Sequence, residues 1–244
     1  MWLRRFQSQN MFTIKFQRVV LTRGPLYNVS VFFLNSLLYA VVSCILLILI
    51  CAPFSYVLQR FRYPGSRLTK ILLAATTGVP VIMVIIPLYM IVARAGLLRN
   101  EFTNRIVLIT LFVTTKIPYT TIFLQAYFEN ISRSYEEAAA IDGSHPIHTF
   151  WKIVFPMAKS GMITVTIFNF INIWNEYFLS LMFVNSDRLR PVALGLFSMI
   201  NGMQYSGDWS GLFASVIIVF LPTFLLYICL SKYIVGGLTG GVKG

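Results

Sequence analysis

The stretch "VFFLNSLLYAVVSCILLILICAPFSYVL", Val31 to Leu58, contains no Asp, Glu, Lys or Arg in 28 consecutive residues. About 20 apolar residues in helical form cross the hydrocarbon core of a bilayer, so this stretch predicts a membrane-spanning helix. The pattern recurs. Ile71–Ala93 and Trp209–Ser231 are also free of charge, Ile106–Phe128 is interrupted only by Lys116, and Gly161–Val184 only by Glu176. These runs predict an all-α integral membrane protein with about five spans. The composition agrees: 57% of the 244 residues are hydrophobic and 11% charged, against roughly 25% charge in a soluble domain.

The formal net charge of +12 does not indicate nucleic-acid binding. The basic residues mostly flank spans, where they anchor helix ends and set orientation, and no basic cluster is interleaved with aromatics. Cys44, Cys51 and Cys229 lie in apolar runs without metal-ligand spacing and read as small packing residues. "MWLRRFQSQNMFTIKFQ" at the N-terminus lacks the apolar core of a signal peptide.

Between the third and fourth runs lies "SYEEAAAIDGSHPIHTFWKIVFP", Ser134 to Pro156, with three of the chain's eight acidic residues. Ser134 and Glu137 have capping-box spacing, and Glu136 and Glu137 suit the positive end of a helix. Ala138, Ala139 and Ala140 favour helix with little bulk, and Gly143 suits a left-handed C-cap. Ser144 is expected to cap a second helix that carries Pro146 in its first turn. The expectation is a helix–turn–helix knuckle. An amphipathic loop lying on the lipid surface fits the same residues.

Placing this loop in the cytoplasm puts nine basic residues inside: Arg60, Arg62, Arg67, Lys70, Arg133, Lys152, Lys159, Lys232 and Lys243. Five fall outside: Arg94, Arg99, Arg105, Arg188 and Arg190. The positive-inside rule favours that orientation. With five spans, the basic segment 1–30 lies outside; its Arg4, Arg5, Lys15, Arg18 and Arg23 bring the outer total to ten. The charge count then decides nothing.

The loop resembles the EAA loop of ABC importer permeases: Glu137, Ala138, Ala139, Asp142, Gly143, Phe150, Ile153 and Pro156 match in register. "LNSLLYAVVS", "IWNEYFLSLMF", "DWSGLFASVIIVFLP" and "YIVGGLTGGVKG" resemble the carbohydrate-uptake, maltose-type branch. The resemblance implies a type I importer transmembrane domain over 31–244 with a coupling loop at 132–158. It also implies a usual count of six helices, so that this chain begins just after the family's first. It further implies a plasma-membrane permease for a sugar or oligosaccharide, working by alternating access. The partners would be a second homologous permease, two cytoplasmic ABC ATPase subunits, an external solute-binding protein and the lipid bilayer. ATP and Mg would sit on the ATPases and this chain would bind no cofactor; "GxxxxGK[ST]", "HExxH" and "GxSxG" are all absent from it. Glu136, Glu137, Ala138, Ala139, Asp142, Gly143, His145, His148 and Phe150 are the residues expected to couple to the ATPase. A membrane scaffold that recruits a cytoplasmic partner through the same loop is the alternative function.

Ionisable residues at membrane depth are costly and mark function by default. Lys116 lies ten residues into its run and Glu176 eight from the end of its own, about 15 and 12 Å deep at 1.5 Å per residue. They are expected to face the interior and either pair or line a polar pathway; a structural place at a subunit seam fits equally. By resemblance Trp174, Asn175 and Glu176 lie near the translocation region, with Asn172 a further candidate. Pro53, Pro80, Pro87, Pro118 and Pro222 lie inside the predicted spans, where each can kink a helix. "PVALGLFSMINGMQYSGDW" is short of a span and is expected to lie on the outer surface or re-enter.

Overall fold

The computed structural model describes residues 29–206 and, beyond them, 213, 216, 217, 219–225 and 228. The basic segment 1–30 except its last two residues, Cys229, the glycine-rich tail and much of Trp209–Ser231 lie outside the described residues. The described chain is helical throughout its regular elements: α1 (Val29–Arg60), α2 (Ser66–Thr77), α3 (Val81–Arg94), α4 (Glu101–Glu129), α5 (Ser134–Ile141) and α6 (Pro146–Thr149). A π-helical turn, Phe150–Val154, leads to α7 (Phe155–Met157), α8 (Lys159–Trp174) and α9 (Phe178–Phe183). A 3₁₀ turn at Asp187–Leu189 precedes α10 (Val192–Ser206). The described residues group into two compact units, one within 29–40, 87–109 and 171–225, the other within 41–86, 110–170 and 228.

Among the described residues two helices, α1 and α4, are long and apolar enough to span a membrane unaided. The expected second span is instead a bent pair, α2 and α3, meeting at 100°. Pro80 supplies no backbone donor and biases Val79 away from helical geometry, while Gly78 closes α2 by donating to Ala75 O at 3.1 Å. The α6–α7 stretch and α8 form a second bent pair at 72°. The expected run Gly161–Val184 also breaks, because α8 stops at Trp174. Pro53, Pro87 and Pro118, by contrast, lie within continuous helices.

In the second unit, small residues of α1 let neighbouring backbones approach, as membrane helix seams require. Cys44, Cys51, Ala52 and Ser55 are all buried. Ser55 Oγ donates to Thr121 O at 3.0 Å, and the Cys51 thiol points to Ile117 O at 3.9 Å, one turn back on α4. Cys44 similarly faces Thr166 O of α8, at 3.7 Å. The two thiols are free and packed. Asn169 Nδ2 donates to Thr120 Oγ1 at 2.9 Å. The other face of α1 exposes Ile45, Leu49 and Ile50; a helix apolar all round belongs in lipid.

In the first unit, the start of α1 holds the turn before α10. Asn35 Nδ2 donates to Arg188 O (2.7 Å) and Arg190 O (3.1 Å), Tyr39 Oη donates to Leu189 O (2.9 Å), and Ser36 Oγ accepts from Val192 N (2.8 Å). Gly195 of α10 lies against Phe32 so closely that a Cβ there would come within 2.2 Å of the buried ring. Overpacking of this kind costs about 1–3 kcal/mol. Gly195→Ala is therefore expected to lower the thermal aggregation midpoint of the purified protein, whereas a wild-type midpoint would refute the packing assigned to Gly195.

Candidate coupling loop and membrane polar residues

The loop forms the expected knuckle, with its start and its second cap built differently from the expectation. The capping box does not form. Arg133 already has helical angles (φ −66°, ψ −19°), so Ser134 falls inside the first turn and makes no cap bond to the backbone. Its hydroxyl pairs with Ser132 Oγ at 2.8 Å, and Ser132 Oγ accepts from Ser134 N at 3.3 Å. At the other end Gly143 takes φ +78°. Gly143 N donates to Ala140 O at 3.0 Å and Ser144 N to Ala139 O at 2.9 Å, the two crossed bonds of a Schellman turn. The second helix is capped by His145, not Ser144: His145 Nδ1 accepts from Ile147 N at 3.3 Å, with Pro146 in the first turn. Ser144 Oγ accepts from Thr149 Oγ1 at 3.0 Å.

The knuckle sorts its residues into two sets. Glu137, Ala138, Asp142, Gly143, His145 and His148 are exposed, while Ala139 and Phe150 are buried and Glu136 is half-buried. Phe150 is the hub of an aromatic cluster. Its ring centroid lies 4.8 Å from Tyr56, 5.0 Å from Trp151, 5.9 Å from Phe155 and 6.3 Å from Phe128. Edge and offset ring contacts at such distances add to the apolar burial, so Phe150 fastens the knuckle to α1 and α4. The tip has its own apolar residues, Ile141 87% and Ile147 65% exposed.

Glu136 turns inward. Its Oε1 lies 2.7 Å from Arg60 Nε, and the Arg60 guanidinium also donates from Nη2 to Ile131 O at 2.6 Å. The sequence singled out Glu136 but missed Arg60, which reads as one more flanking cation. Nothing in local spacing signals a tie across 76 positions.

The membrane candidates also divide. Trp174 is wholly buried; its indole N–H donates to Val219 O at 3.2 Å, and its ring meets Phe33 edge-on at 5.3 Å. Asn175 Nδ2 bonds back to Ile171 O at 2.8 Å, and such competition for the backbone favours a helix end. Glu176, two residues ahead of α9, then ties down the start of that helix. Its Oε1 accepts from Leu179 N at 2.9 Å and its Oε2 from Ser180 N at 3.2 Å and Ser180 Oγ at 3.3 Å. The Trp-Asn-Glu stretch is thus a built break between α8 and α9. Asn172 and Asn175 are exposed, and Lys116 is half-buried in mid-α4. Lys116 and Glu176 belong to different compact units. Among the described residues no group of three or more His, Cys, Asp or Glu side chains could hold a metal.

Residues 44–239 match the family model described as binding-protein-dependent transport system inner membrane component. The chain is similar to a diacetylchitobiose uptake system permease protein of Streptomyces coelicolor, 34% identical over 88% of this chain and 70% of that protein. It is also similar to a sulfoquinovosyl glycerol transport system permease protein of Agrobacterium fabrum, 32% identical over 87% of this chain and 73% of that one. Its fold is that of a chain in the crystal structure of a bacterial ABC transporter that imports the acidic polysaccharide alginate. The TM-score is 0.73 at 24% identity, over 90% of this chain and 78% of that chain.

Proposed function

This chain belongs to the family of binding-protein-dependent transport system inner membrane components, and we propose that it is a permease subunit of an ATP-driven importer for a sugar or oligosaccharide. A second, related permease completes the pathway with it. Two cytoplasmic ATPase subunits, carrying ATP and Mg, drive the cycle, and an external binding protein delivers the solute. The loop 132–158 and the C-terminus face the cytoplasm.

The observation that carries this reading is the knuckle itself. An exposed apolar tip, Ile141 and Ile147, is flanked by exposed Glu137 and Asp142, small Ala138 and a left-handed glycine. An apolar centre with a polar rim is the anatomy of a protein-binding patch. The diacetylchitobiose uptake and the sulfoquinovosyl glycerol transport named for the relatives support a sugar as solute. The broken α8–α9 segment supports a pathway role for Glu176, Asn172 and Asn175, since interrupted membrane helices are tolerated where they line cavities; Lys116, an ionisable residue in mid-α4, is a separate candidate. Trp174 packs behind that break.

In the cycle, the ATPases close on ATP, the docked knuckle moves with them, and the helices it is fastened to reorient around the solute. The chain contributes positioning and movement. Proteoliposomes containing both permeases and the ATPases test the reading: sugar-loaded binding protein should stimulate ATP hydrolysis several-fold and sugar should enter. ATPases that bind but ignore the loaded binding protein would favour a scaffold instead.

A further inference from the structure

We propose that the Arg60–Glu136 ion pair is the link through which displacement of the knuckle is carried into α1; this deepens the coupling reading and rests on it. The knuckle is covalently continuous with α4 before it and α8 after it, but α1 ends at Arg60, 76 positions before Glu136. For α1 to move with the knuckle it needs a contact that holds under load.

Arg60 supplies that contact. It is the last residue of α1, and Glu136 stands in the first turn of α5. A cation at a helix C-terminus and a carboxylate at a helix N-terminus are each favoured by the local dipole. The pair therefore joins two helix ends that both favour its charges. Its Nε–Oε1 separation is 2.7 Å, and the side chains are only 6% and 19% exposed. The same guanidinium reaches Ile131 O at 2.6 Å, in the segment entering α5. One guanidinium thus holds the helix through its ion pair and the lead-in through its hydrogen bond.

The two adjacent glutamates have different tasks. Glu137 is exposed and belongs to the docking face, while Glu136 points back to α1. The ring contacts of Phe150 with Tyr56 and Phe128 hold the knuckle laterally, but apolar rings can slide. The ion pair fixes the register. Glu136 and Arg60 are accordingly positioning residues, acting on the pathway through α1.

The test uses the complete transporter in proteoliposomes, with Arg60→Gln, Glu136→Gln, the double variant and Arg60→Lys. Two quantities are read: ATPase subunits retained on purification, and sugar transported per ATP hydrolysed. Each single Gln variant should retain the ATPases yet lower sugar per ATP about tenfold. The double variant should be no worse than either single, because the pair acts as a unit and no lone charge is left. Arg60→Lys should recover most of the ratio. Wild-type coupling in both singles, or a double variant showing the product of the two defects, would overturn the inference. Should Arg60→Gln fail to accumulate, Glu136→Gln alone decides by the same ratio. Failure of the wild-type chain to retain any ATPase would instead overturn the coupling reading beneath it.

Discussion

Replacing Gly143 with valine is expected to reduce ATPase capture by the assembled permease about tenfold while leaving the amount of membrane-inserted protein unchanged. Gly143 sits at φ +78°, where an L side chain costs about 1–2 kcal/mol and a β-branched one is a genuine outlier. That cost falls on the turn alone, since a Cβ there would meet nothing within 4 Å. The crossed bonds from Gly143 N to Ala140 O and from Ser144 N to Ala139 O would be the first lost, and with them the angle between α5 and α6. A penalty near 1.4 kcal/mol corresponds to a factor of ten in the population of the docking geometry. Gly143→Asn is the control. Asparagine enters the left-handed region more readily, so it should retain most of the capture. Equal loss in both variants would mean that the partner needs bare backbone there; normal capture in both would mean that the turn is not the docking element.

Trp174→Ala should be the most damaging single change in the first unit. The side chain is wholly buried, meets Phe33 edge-on and donates its indole N–H to Val219 O. Truncating a buried tryptophan costs about 3–5 kcal/mol, here with a carbonyl left short of its donor. The expected result is a lower yield of folded protein and a sharply lower thermal aggregation midpoint. Trp174→Phe, which keeps most of the ring and loses the donor, should fall in between. An alanine variant with a wild-type midpoint but altered sugar preference would show that Trp174 meets the solute.

The helical class and the knuckle were legible from runs of uncharged residues and from the order Glu-Glu-Ala-Ala-Ala, Asp-Gly and Pro146. Those signals are local. A glycine that must be left-handed and a proline that fits only a first turn carry their geometry with them. The start of α5 was misread because S-x-x-E spacing fits capping only if the serine lies outside the helix, and Arg133 had already entered it. The break at Gly78–Pro80 was marked by its residues, but an apolar run on both sides reads as one span when length alone is counted. The break at Asn175 and Glu176 was harder. Glu176 attracts notice as a charge within an apolar run, and only the three-dimensional course shows its carboxylate receiving the amides of Leu179 and Ser180. Arg60, and the grip of Asn35, Ser36 and Tyr39 on the turn before α10, depend on contacts more than 70 positions apart. No periodicity announces contacts of that kind.

Site-specific photocrosslinking from Ile141 tests the central claim most directly. A photoreactive side chain at Ile141, the most exposed large apolar residue of the knuckle, would be activated in intact membranes holding the whole transporter. The same group at buried Phe150 is the control. The account predicts a crosslink from Ile141 to an ATPase subunit and none from Phe150. Capture of lipid alone at Ile141, in a complex that hydrolyses ATP and imports sugar, would contradict it and place the loop on the bilayer surface.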